Sequence, residues 1–135
     1  MGRKPKTNRV PKTRAGGEWT EAAFWGFLRS ALRQASRRWP PIVRHVWQED
    51  GVRRDSQSEN KRLKYEYWCS CCGEWFPKKE IQVEHIEPCG KCSSWEEFRD
   101  FAERLFVEAD RLRLYCRKCN QEMALKEKQE REAGQ

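Results

Sequence analysis

No stretch of this 135-residue chain is apolar enough to cross a bilayer. The basic N-terminus also lacks the apolar core of a signal peptide. These absences argue against a membrane partner and predict a cytoplasmic protein. Histidine is scarce, at two residues, His45 and His85. Acidic residues are missing from the first seventeen positions, and no internal repeat is present. Apolar residues amount to 37% against 36% charged, with a mean hydropathy of −1.08. A small chain this polar buries little apolar surface and needs a staple.

Cysteine is what the chain does have. There are seven, an odd number that cannot all pair. In a reducing compartment, Cys-x-x-Cys pairs point to metal rather than disulfides. CSCC at 69–72 contains one pair, Cys69 and Cys72, and CRKC at 116–119 gives another, Cys116 and Cys119. Four thiolates fill a tetrahedral structural Zn2+ site. A third pair of the same spacing, Cys89 and Cys92, competes for the role, and Cys71 could join it. Gly73, Arg117 and Lys118 suit knuckle turns, which favours the outer pairs and leaves Cys89 and Cys92 as free thiols in a loop.

The formal charge is +7 and the pI about 9.2. A basic balance favours polyanions, chiefly nucleic acid, although it also serves solubility. Residues 1–17 read as a disordered basic arm. Residues 18–62 read as an N-terminal helical region and loop. Thr20 is a good N-cap there, Trp19 and Phe24 are spaced for a hydrophobic staple, and Phe24, Phe27, Leu28, Ala31, Leu32 and Ala35 form one apolar face. Pro40 and Pro41 stop this helix, a short second one covers 42–48, and 49–62 is a polar loop. Residues 63–132 form the zinc-stapled part. It should contain a strand from 63, a cysteine knuckle, a strand over 81–86, a loop at 87–93, a helix capped by Ser94 and Glu97, a strand over 112–115, and a final helix. The fold class is α+β.

Three stretches carry chemistry in a fixed order: WCSCCGEWF from Trp68, IQVEHIEPCG from Ile81, and LRLYCRKCN from Leu112. Together they resemble the zinc-stapled HNH endonucleases of the ββα-metal, or His-Me finger, superfamily. The intervening helix and the N-terminal region look like those of tailed-bacteriophage members, so the resemblance spans roughly 18–128. It implies a small ββα-metal finger of strand 81–86, strand 112–115 and the helix from about 117. It implies that His85 activates water for attack on a DNA phosphodiester. Glu84 and Asn120 would hold one catalytic divalent ion. Their oxygen donors suit Mg2+ or Mn2+ better than zinc. Double-stranded DNA is then the partner, cut with little sequence specificity, and Lys78, Lys79, Lys91, Arg117, Lys118 and Lys126 are candidates for its phosphates. A phage origin would put the protein in a host bacterial cytoplasm, beside a packaging terminase. The chain departs from the family in three ways. Glu84 replaces the usual aspartate, the middle asparagine has no clear counterpart (Asp110 is nearest), and Met123 and Ala124 stand where lysines often follow. The alternative is a catalytically weak or inactive zinc-stabilised DNA-binding module.

Overall fold

The computed structural model of the chain describes residues 9–134. The first eight residues of the basic arm lie outside the described residues. Within the rest of that arm, Arg14 closes a bridge to Trp19 and pairs with Glu21 at 2.9 Å.

Helix α1 (Glu21–Ser36) starts where its cap dictates. The Thr20 hydroxyl accepts from the Ala23 N–H at 3.1 Å, and Glu21 places a negative charge in the first turn. Trp19 packs on Phe27, with ring centroids 5.0 Å apart, while the Arg14 guanidinium covers Phe24 at 4.3 Å. Phe27 and Ala31, expected on the core face, are exposed. Pro40 and Pro41 do more than stop a helix. The helix has already ended at Ser36, and the prolines open α2 (Pro40–Val43), where missing N–H groups cost nothing. A 3-10 turn follows over His45–Gln48.

The polar loop expected at 49–62 contains a strand, β1 (Arg53–Asp55). It pairs antiparallel with β2 (Tyr65–Trp68), which pairs in turn with β3 (Trp75–Phe76). The strand has no apolar alternation because arginine stems replace it. Arg53 lies over Tyr65 and Arg54 over Trp75, each 4.4 Å from the ring centre.

A second, two-stranded sheet joins β4 (Ile81–His85) to β5 (Leu112–Cys116), antiparallel. Its register sets Val83 opposite Leu114 and Glu84 opposite Arg113. Leu112 and Leu114 are buried, as their alternation predicts. Helix α3 (Trp95–Leu105) runs between these strands in sequence, capped by Ser94, which accepts from the Glu97 N–H at 3.1 Å. Helix α4 (Arg117–Ala133) follows β5 without a linking residue.

Two apolar clusters hold these parts. One gathers Val46, Trp47, Tyr67, Ile81, Leu112 and Leu114 around Cys69, Cys116 and Cys119. The other packs Trp25 of α1 against Phe101 and Leu105 of α3, with Cys89 and Cys92. Cys89 and Cys92 are thus not loop thiols at the surface. Their relative exposures are 7% and 0%, because the 87–93 loop folds inward under α1 and α3. The Trp39 indole N–H donates to the Val107 carbonyl at 2.8 Å, tying the α1–α2 junction to the segment after α3. Among the described residues, no helix is long and apolar enough to cross a membrane.

Candidate functional site

The metal centre grows from two tight turns. After β2, the chain doubles back so that the Gly73 N–H donates to the Cys69 carbonyl at 2.9 Å. Gly73 sits at φ +74°, a conformation that a side chain would strain. At the other end, Cys116 caps α4, its sulfur accepting from the Cys119 N–H at 3.5 Å. These turns bring the sulfurs of Cys69, Cys72, Cys116 and Cys119 within 4.8 Å of one another. Tetrahedral Zn–S bonds of about 2.3 Å imply sulfur separations of about 3.8 Å, so a small contraction closes the set. Four cysteines this close can bind a structural metal such as zinc. Cys71, the odd thiol, is exposed and stands outside the set.

The electrostatics ask for a cation. Burial opposes ionisation of Cys69, yet backbone N–H groups of Cys72, Cys116 and Cys71 bring its thiol down to about 7. Cys119 goes the other way, pushed strongly up by burial and by the sulfurs beside it. A dication bound among the sulfurs would offset the burial that opposes ionisation of Cys119.

The second feature is a cavity of about 780 Å3 at the far end of β4. Arg33, Glu84, His85, Lys91, Glu127 and Arg131 line it. His85 is held by one bond: its Nε2 lies 2.9 Å from the Leu105 carbonyl oxygen. A carbonyl can only accept, so Nε2 donates, and in the neutral ring the lone pair is then on Nδ1. Glu84 is half-buried, and its carboxyl pKa is raised. Burial is the main cause, the proximity of Glu127 adds to it, and His85 and Arg113 oppose it.

Not every expected site residue reaches this cavity. Glu84 and His85 meet there, and Lys91 joins them. Asn120 does not line it; its side-chain amide donates to the Gln82 side chain, one turn nearer the cysteines. Asp110 lines a separate acidic hollow with Glu87, Asp100 and Glu108. Of the basic candidates, Lys78 sits over the Trp47 ring at 4.9 Å, and Arg117 donates to the Lys79 carbonyl at 3.2 Å. Arg117 and Lys118 border the cysteine cluster, and Lys126 is exposed on α4. Sequence reasoning missed Glu127, Arg131 and Arg33. The first two lie seven and eleven residues beyond Asn120, the repeat of one α-helical face, and that signal was available. Nothing in the sequence links α1 to the cavity.

A raised carboxyl pKa has a consequence for stability. The folded chain holds the Glu84 proton more tightly than the unfolded chain does. Stability is therefore greatest below the ordinary carboxylate range and is lost as pH rises through the folded-state value. Glu84→Gln should stabilise the protein at pH 7.5, in buffer without added Mg2+ or Mn2+, by about 0.5 kcal/mol. That figure is discounted because the group is half-exposed. The gain should shrink as pH falls toward 5. Equal urea midpoints for variant and parent at both pH values would refute this.

Comparison with known proteins finds no family model, no curated protein and no solved structure that matches the chain.

Proposed function

We propose that this chain is a metal-dependent endonuclease of the HNH type, hydrolysing phosphodiester bonds in double-stranded DNA. On this reading β4, β5 and α4 form a ββα-metal finger, with the four cysteines as its zinc staple. The observation that carries the reading is the placement of His85: its Nε2 is anchored on the Leu105 carbonyl, which leaves the Nδ1 edge of the ring beside a carboxylate in an open cavity, where an imidazole in its neutral form is equipped to accept a proton.

The step balances simply. Nδ1 of His85 takes a proton from water, the water oxygen bonds to phosphorus, and the bond from phosphorus to the 3′-oxygen breaks. The leaving oxygen then takes a proton from solvent. Leu105 keeps the ring oriented throughout. Glu84 is the oxygen donor in the cavity for a hard divalent ion such as Mg2+ or Mn2+, which would supply positive charge where the phosphate gains negative charge. Relief of the crowding between Glu84 and Glu127 is a physical reason for a dication to bind there. Asn120 stands outside the cavity lining, and its contact with Gln82 engages the amide nitrogen, so the side-chain oxygen stays available to a cation.

The place of Asn120 outside the cavity lining favours a second reading, a zinc-stabilised module that binds DNA without cutting it. Supercoiled plasmid separates the two. Nicking with Mg2+ or Mn2+ that disappears in His85→Ala supports the nuclease. Absence of nicking with either ion at any protein concentration leaves only the binding module.

A further inference from the structure

Helix α1 carries a row of arginines that none of the ion pairs among the described residues engages. Arg29, Arg33 and Arg37 recur every four residues along α1 and its C-terminal cap. Arg37 still has helical backbone angles, φ −64° and ψ −14°, so the row keeps its phase to the end. Four residues of α-helix rise about 6 Å, so the three arginine positions recur along one face of the helix. The single acid within α1, Glu21, is already paired with Arg14. The four ion pairs among the described residues engage Arg14, Arg54, Arg99 and Arg104, and none engages this row.

The row also has a direction. Arg33 lines the cavity of His85, with its guanidinium 5.3 Å from the Phe101 ring centre. Arg29 lies close enough to Cys92, and Arg33 to Cys89, to draw the thiol pKa values of those two residues down against burial. The arginine face of α1 therefore runs beside the 87–93 loop, which adds Lys91 to the same cavity wall. The carboxylates of the cavity, Glu84, Glu127 and Glu130, belong to β4 and α4, not to α1.

An ordinary explanation covers only part of this. Cations in the last turn of a helix complement its dipole, which accounts for Arg33 and Arg37. Arg29 lies beyond that turn's reach. Like charges at four-residue spacing also destabilise a helix. A regularly spaced polyanion offsets that cost.

We infer that the arginine row of α1 is a phosphate track that leads one backbone of duplex DNA to the His85 cavity. The inference rests on the nuclease reading for its substrate, but binding tests it independently of cutting. The probe is a fluorescently labelled 20-base-pair duplex, titrated with the full chain in buffer without added divalent ions. Anisotropy is read across 50–200 mM salt. Replacing Arg29, Arg33 and Arg37 together by Gln should weaken binding by roughly tenfold or more and reduce the salt slope by about two to three. The same change at Lys78, Lys79 and Lys118 should alter the slope by about one or less. The single variants Arg29→Gln and Arg37→Gln, checked by thermal unfolding, guard against a folding defect in the triple.

An unchanged slope in the triple, or an equal loss in the lysine variant, overturns the track. Tighter binding of single strands through the same arginines overturns the duplex assignment. If the row binds duplex but plasmid is never nicked, the nuclease reading fails and the track stands. If plasmid is nicked while the row proves dispensable, only the track fails.

Discussion

Removing the metal from the four-cysteine centre is expected to abolish the cooperative unfolding transition of this protein, not merely lower its midpoint. The centre joins residues 47 positions apart, from the end of β2 to the start of α4. Three of its cysteines are themselves part of the larger apolar cluster. Structural zinc in small fingers contributes about 10–16 kcal/mol of apparent binding energy. That rivals or exceeds the 5–15 kcal/mol net stability of a typical domain. Without the dication, burial and the neighbouring sulfurs oppose ionisation of Cys119, and nothing draws the two turns together. Cys119→Ser, or dialysis against a strong chelator, should therefore flatten the thermal melt followed by circular dichroism. Metal analysis should give one equivalent of zinc in the parent and none in the variant. A metal-free chain with an unaltered melting curve would contradict the assignment of the centre as structural.

The other large effect concerns His85. Replacing it by Ala should lower the plasmid-nicking rate by about 10²–10⁴-fold, the usual worth of a positioned general base. Duplex binding should stay within about twofold, since the neutral imidazole supplies no phosphate charge. Free imidazole added to the reaction should restore part of the lost rate, because it can fill the space and accept the proton. His45 is the internal control. It is exposed in the 3-10 turn after α2 and lines no part of the cavity, so His45→Ala should nick at the parental rate. If the two variants behave alike, the proton acceptor is not His85.

Much of this was legible in the chain itself, for identifiable reasons. Cysteine spacing fixes local turns, so Cys69, Cys72, Cys116 and Cys119 could be grouped before any coordinates. The strands at 81–86 and 112–115 and the Ser94 cap follow from alternation and a side-chain oxygen at the right offset. The errors have equally local causes. Strand β1 was hidden because its packing uses arginine stems on aromatic rings, which carry no apolar signal. Cys89 and Cys92 are free thiols in a loop, as expected, but spacing does not reveal that this loop is buried in the cluster of α1 and α3. Asn120 was assigned by its position after Cys119, and its amide nitrogen donates to Gln82, two residues before Glu84 on the same strand, a contact that spacing alone does not reveal.

Leu105 belongs to two systems at once. Its side chain is 1% exposed in the cluster around Phe101, and its carbonyl orients His85. Trp25, from the start of the chain, completes that cluster. A fragment cut at residue 63 would retain the sulfur ligands and the Glu84–His85 pair, yet its α3 would lose the surface that seats it. The imidazole would then be free to swivel. The N-terminal helix is thus a brace for the reactive ring as well as a neighbour of it, and trimming the protein to its apparent minimum would cost precision before it cost any named residue.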